Sequence, residues 1–239
     1  MKVVEKKLFT DGSKLIAIGV HIYSSIGLLL ALAATLALTN HNVQHFLVAL
    51  WFAVLIDSSD GTLARYFMVT TTLPEFDGRR LEDIIDYLTY VFLPSLALVE
   101  FNLLPNLTWI AALPLLASAY GFCQQKAKTE QSFVGFPSYW NVVFLYLYLF
   151  SFPAWLVTAI IALFSILVFV PIRYVYPSHT KWMQEVTLVL SIPYAIMVGV
   201  LCLYPNASWA TGLAVISLFY PAYYAVISIL HHGRVMRME

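Results

Sequence analysis

Asp57 and Asp60 stand three residues apart, and Glu82 and Asp86 four apart with Asp83 between them. At helical spacing each set presents its carboxylates on one face. The acids occur in two runs, D-S-S-D-G-T-L-A-R at 57–65 and F-D-G-R-R-L-E-D-I-I-D at 76–86. Oxygen donors with no His or Cys among them suit a hard cation such as Mg²⁺ or Mn²⁺. Two such ions sharing carboxylates are a device for displacement at phosphorus. Gly61, directly after Asp60, lets another group come close to the helix backbone. Asp77-Gly78 reads as the turn into a helix whose first amides favour an anion. Arg65, Arg79 and Arg80 offset part of the negative charge, but ion pairing alone would not require such strict spacing.

The elements that position these acids lie in a membrane. The 239 residues are 61% hydrophobic and only 11% charged, with a mean hydropathy of +0.79, whereas soluble domains carry roughly 25% charged residues. A helix crosses a bilayer with about 20 apolar residues. The hydrophobic pattern predicts eight helices, at 14–38, 43–68, 80–103, 107–123, 138–151, 154–174, 184–204 and 208–230. The chain therefore reads as an all-α integral membrane protein, one polytopic catalytic domain over residues 1–239 with its signature at 57–86. The apolar run behind the basic N-terminus is too long for a cleaved signal core and reads as a retained first helix. No nucleic-acid motif is present, and Cys123 and Cys202 are too far apart in sequence to suggest a metal pair.

Eight spans put both termini on one face, and all 13 Lys and Arg fall there. Lys2, Lys6, Lys7 and Lys14 precede or open the first helix, and Arg65, Arg79 and Arg80 flank the second junction. Lys126 and Lys128 follow the fourth helix, Arg173 and Lys181 lie around the sixth and seventh, and Arg234 and Arg237 are in the tail. By the positive-inside rule this face is cytoplasmic. Both acidic runs lie at it. An unpaired carboxylate within a span costs roughly 2.5 kcal/mol or more, so several converging there call for cations, protons or water. A carboxylate-lined cation transporter is the reading from another class, but it expects acids near the midplane and broken helices.

The pattern Asp-x2-Asp-Gly-x2-Ala-Arg, then Gly-x3-acid-x3-Asp, resembles the signature of the CDP-alcohol phosphotransferases. Asp57, Asp60, Gly61, Ala64, Arg65, Gly78, Glu82 and Asp86 occupy its eight positions. The resemblance implies that the first three acids hold two divalent ions, Mn²⁺ or Mg²⁺, and that Asp86, the fourth, is the general base. It implies nucleotide or phosphate contacts for Asp57, Gly61, Ala64, Arg65 and Gly78. Glu82 stands where the family usually has Asp, so Asp83 beside it is the alternative third ligand. The interval 66–77 is longer than usual. With the eight-helix layout and the stretches at 77–94, 135–141 and 170–178, it is similar to the bacterial phosphatidylcholine synthase branch.

That branch implies CDP-diacylglycerol and choline as substrates, an inner-membrane location and contact with membrane lipids. The same chemistry with serine, glycerol phosphate or inositol phosphate as acceptor is the alternative. Superfamily members are often dimers, and a homodimer is one state open to this chain. A quaternary ammonium makes no conventional N–H hydrogen bond and is held against aromatic faces. With 15 Tyr, 16 Phe and 6 Trp, abundance decides nothing; the aromatics nearest the acids are Tyr87, Tyr90, Tyr139 and Trp140, with Asp83 or Glu185 as a supplementary charge. Lys126 and Arg173 are the candidates for a lipid phosphate, although positive-inside bias alone accounts for both. His21 reads as a packing imidazole, and His231 and His232 as tail residues.

Overall fold

A computed structural model of the chain describes residues 11–124, 132–177 and 180–237. Eight helical bodies follow one another in the predicted order. α1 (Asp11–Thr39) and α2 (Val43–Tyr66) form a hairpin, with His41 at positive φ in the turn. The Asn42 side chain caps α2 by accepting the His45 amide at 3.0 Å. The next connection holds a short helix, α3 (Val69–Thr72). Its buried Val69 packs with Ala17 and Val20 of α1.

The third body runs through 78–100 as α4 (Gly78–Asp86), a π-helical segment (Tyr87–Phe92) and α5 (Leu93–Glu100). A 3₁₀ turn (Thr108–Ala111) leads into α6 (Ala112–Cys123), followed by α7 (Trp140–Phe150), α8 (Ala154–Phe169) and α9 (Gln184–Leu203). The last body is α10 (Ala210–Ser217) and α11 (Phe219–Met236), meeting at Leu218.

Four bodies are long and apolar enough to cross a membrane by length and composition: Gly12–Thr39, Val43–Tyr66, Gln184–Leu203 and Ala210–Met236. Their outer faces are apolar, with Leu15, Ile22, Leu29, Ile192 and Ile196 each at least 60% exposed. Such a surface suits lipid rather than water. α7 differs. At 11 residues it rises about 16 Å, and it is enclosed by its neighbours, with Phe144, Leu145 and Leu147 almost fully buried. Around it lies the core, which includes Phe46 and Leu50 of α2, Val91, Ile161 and Leu201. Packing, rather than lipid, stabilises this helix. The whole is a nearly all-α integral membrane protein.

Helix boundaries differ from the sequence reading, most at the ends of the sixth and the last helix. The sixth helix ends at Phe169, not 174, because Val170 precedes Pro171 and takes an extended conformation (ψ 120°). The chain then forms β2 (Arg173–Val175), antiparallel to β1 (Ser132–Val134), with Phe133 opposite Tyr174. Apolar content alone does not separate a short strand from the end of a helix. The last helix runs to Met236, so His231 and His232 are helical rather than tail residues. Cys123 and Cys202 are free thiols.

Candidate active site

α2 carries Asp57 and Asp60 in its last three turns. Asp60 is 5% exposed; Asp57 is half-buried. The run is pinned from α1, where the Tyr23 hydroxyl hydrogen-bonds Ser59 Oγ at 2.7 Å. Ala64 packs with Leu63 against Ala17, Val20 and Val69, which fixes the end of α2 on α1. Arg65 is exposed, and its Nη2 donates to Thr62 Oγ1 at 3.0 Å. Next to Gly61, a side chain would meet only the Arg65 Nη1, 3.4 Å from a Cβ, so this face of α2 stays open.

Asp77 opens α4, its Oδ1 accepting the Arg80 amide at 3.2 Å and its Oδ2 pairing with Arg80 Nε at 3.1 Å. Glu82, Asp83 and Asp86 follow, all half-buried. The backbone of Gly78 abuts the His21 ring: a Cβ there would stand 2.7 Å from His21 Cε1.

The two acidic runs meet at Tyr90. Its hydroxyl donates to Asp57 Oδ2 at 2.8 Å. Tyr90 lies one turn beyond Asp86, in the π segment, a geometry that recurs at functional sites. Its ring is 6.2 Å from Tyr139, and Tyr139 in turn is 6.2 Å from Tyr224. Tyr224 donates to the Val175 carbonyl at 2.8 Å. Tyr174 of β2 stacks on Tyr224 at 6.3 Å. A column of four tyrosines thus leads away from Asp57, drawn from the π segment, the start of α7, α11 and β2.

Two of the four aromatics singled out from the sequence face elsewhere. Tyr87 donates its hydroxyl to the Leu115 carbonyl at 2.9 Å and packs edge-on to Phe122, both of α6. Trp140 is 2% exposed, and its Nε1 donates to Ser118 Oγ at 2.8 Å. Both take packing roles. Tyr224 and Tyr174 escaped the sequence reading because they come from elements more than 80 residues from the acids. Glu185 is exposed in the first turn of α9, and Lys126 and Lys128 lie outside the described residues.

Arg173 reaches the same end of the bundle through β2, its amide donating to His232 Nδ1 at 3.3 Å. His231, expected in an exposed tail, is 4% exposed and bonds Ser132 Oγ at 2.8 Å. Its ring lies parallel to Trp182, over which Arg234 sits at 5.7 Å. His231 is buried where α11 packs against the two-stranded sheet.

The donor set suits divalent cations in its chemistry: carboxylates alone, on two helices tied together at Tyr90. In their present arrangement, no three or more His, Cys, Asp or Glu among the described residues form a group that could hold an ion. The fit therefore rests on donor type and helix placement. Asp57, with one oxygen bound by Tyr90, keeps the other for a further partner.

No family model matches the chain. Curated relatives do. It is 38% identical to the phosphatidylcholine synthase of Legionella bozemanae, over 76% of this chain and 94% of the relative. To that of Pseudomonas aeruginosa it is 35% identical, over 80% and 82%. To that of Agrobacterium fabrum it is 30% identical, over 85% and 87%. Identity at this level extends over most of this chain and most of each relative. The chain belongs to the phosphatidylcholine synthase family.

Proposed function

We propose that this protein transfers the phosphatidyl group of CDP-diacylglycerol to choline, releasing CMP, by the chemistry of the CDP-alcohol phosphotransferase superfamily. The observation that carries the reading is the Tyr90 hydroxyl donating to Asp57 Oδ2 at 2.8 Å, which ties the helix of Asp57 to the helical body that carries Asp86 one turn before Tyr90. Family membership supports choline as the acceptor.

In the proposed reaction, the choline hydroxyl oxygen attacks the phosphorus that bears diacylglycerol. A P–O bond to choline forms, the P–O bond to CMP breaks, and CMP departs with the bridging oxygen. Asp86 takes the hydroxyl proton during attack, since a hydroxyl is a poor nucleophile at neutral pH. The chemistry calls for two divalent ions, Mn²⁺ or Mg²⁺, which Asp57, Asp60 and Glu82 or Asp83 would hold and which would neutralise charge on the phosphoryl oxygens and on CMP. Tyr90 orients Asp57 by donating to Oδ2. The open backbone at Gly61 admits the nucleotide, with Arg65 beside its phosphates.

Choline's ammonium is received by the tyrosine column, where Tyr139 and Tyr224 offer ring faces next to Asp57. Arg173 would meet a lipid phosphate. The acidic end faces the cytoplasm of a bacterial inner membrane, with both termini on that side, as the distribution of Lys and Arg supports.

Purified protein with Mn²⁺ or Mg²⁺, CDP-diacylglycerol and labelled choline is expected to yield labelled phosphatidylcholine and CMP. Incorporation of serine, glycerol phosphate or inositol phosphate in place of choline would refute the acceptor. Asp86→Asn is expected to abolish turnover while metal-dependent nucleotide binding persists.

A further inference from the structure

α1 touches both halves of the acidic signature. On one side Tyr23 bonds Ser59, between Asp57 and Asp60. On the other, a Cβ at Gly27 would stand 2.6 Å from Ile85 Cγ2, next to Asp86. A Cβ at Gly78 would stand 2.7 Å from His21 Cε1, 3.4 Å from Nδ1 and 3.8 Å from Nε2. His21 meets Gly78 and Gly27 meets Ile85, so α1 and α4 run parallel, in contact over about 9–10 Å at 1.5 Å per residue. The His21 ring also lies 4.2 Å from Phe76, so it fills the corner where the connection turns into α4. Its Nε2 is buried without a hydrogen-bond partner. What the imidazole supplies inside the protein is its shape.

The two signature glycines therefore differ. Gly61 borders open space, with one flexible Arg65 atom 3.4 Å from where a Cβ would be. Gly78 is covered by a ring held between Phe76 and the backbone. A side chain at Gly78 would run into the His21 ring unless one of the two moved.

We infer that His21 is a positioning residue: its imidazole, seated on the backbone of Gly78, sets the height and rotation of α4 and so places Glu82 and Asp86 against Asp57 and Asp60. For its effect on turnover this rests on the proposed reaction; for its effect on the packing of α1 and α4 it rests on the fold alone.

The test is a double-mutant cycle between His21→Ala and Gly78→Ala, read by turnover and by thermal unfolding of the full chain in detergent. Gly78→Ala drives a methyl group into the imidazole. It is expected to lower kcat by about tenfold to a hundredfold, with the KM for choline changing less than about twofold. It is also expected to lower the Tm. Adding His21→Ala vacates the space, and kcat and Tm return to within about threefold and a few degrees of His21→Ala alone. The Gly61→Ala defect gains nothing from His21→Ala. If His21→Ala leaves the Gly78→Ala defect unchanged, or the double variant is less stable than Gly78→Ala, Gly78 does not serve His21 and the inference is overturned. Should the wild-type protein turn over no choline, the Tm cycle still decides. Non-additive shifts support the contact, and additive shifts refute it.

Discussion

Replacing Tyr90 by Phe removes one oxygen from the candidate site and leaves the ring in place. In the native protein that oxygen donates to Asp57 Oδ2 at 2.8 Å. A hydrogen bond to a charged group contributes about 1.5–3 kcal/mol. If the bond orients Asp57 for phosphate and metal in the transition state, its loss slows kcat/KM by roughly tenfold to a hundredfold, at about 1.4 kcal/mol per decade. The ring stays 6.2 Å from Tyr139 and the volume barely changes, so no cavity adds to the cost.

The assay is CMP release from CDP-diacylglycerol in mixed micelles, with choline and Mn²⁺ varied independently. Tyr90→Phe is expected to need more Mn²⁺ for half-maximal rate and to have a lower kcat/KM. The KM for choline should stay near the wild-type value, because phenylalanine presents the same aromatic face to the ammonium. An unchanged rate at every Mn²⁺ concentration, with a raised choline KM, would refute the reasoning. Tyr90 would then belong to the acceptor, and its bond to Asp57 would be incidental.

Glu82 and Asp83 separate by single changes: if Glu82 is the third ligand, Glu82→Gln raises the Mn²⁺ needed by at least about tenfold and Asp83→Asn does not, a pattern that titration of activity with Mn²⁺ reads directly. Tyr139→Leu removes an aromatic face beside Asp57 and is expected to raise the choline KM by roughly twofold to thirtyfold, the range of about 0.5–2 kcal/mol for cation–π contact. Trp140→Phe deletes the Nε1 bond to Ser118 and opens a gap in the core, costing about 2–4 kcal/mol of stability; calorimetry should show a lower Tm, while the choline KM of the folded fraction is unchanged. Ser132→Ala removes the partner of Nε2 in the buried His231, whose Nδ1 has none, and is expected to lower the Tm by several degrees, a loss of about 1–3 kcal/mol.

The helical bodies and the acidic runs were legible because their signals are local. A run of apolar residues marks a helix wherever it packs, and carboxylates three and four apart share a face on any helix. What was not legible depends on partners distant in the chain. Tyr224 and Tyr174 join Tyr139 only because α11 and β2 arrive beside α7. His231 looked like a tail residue because its surroundings, Ser132 and Trp182, come from a short strand and a loop that no periodicity announces. Trp140 next to Tyr139 shows the limit on a finer scale. One residue apart at the start of α7, the first points into the core and the second towards Asp57.

The π segment resolves a conflict within the third body. Glu82, Asp86 and Tyr90 recur every four residues and form one stripe. Ala97, fully buried, lies eleven residues after Asp86, just over three whole turns at about 3.6 residues each. An unbroken α-helix would set Ala97 and Asp86 on the same side. One extra residue taken up in a wide turn rotates everything beyond it by about 100°, separating the face that meets Asp57 from the face that meets the core. Leu93 bonds the Leu88 carbonyl, five residues back. Pro94, which follows, has no N–H for the Tyr90 carbonyl and would clash with it in a regular helix. The proline that enforces the wide turn thus lies four residues beyond the tyrosine that the turn aims at Asp57, and both lie within eight residues of the proposed base. Catalytic placement and core packing on this helix are uncoupled at one step, and the step falls immediately after Asp86.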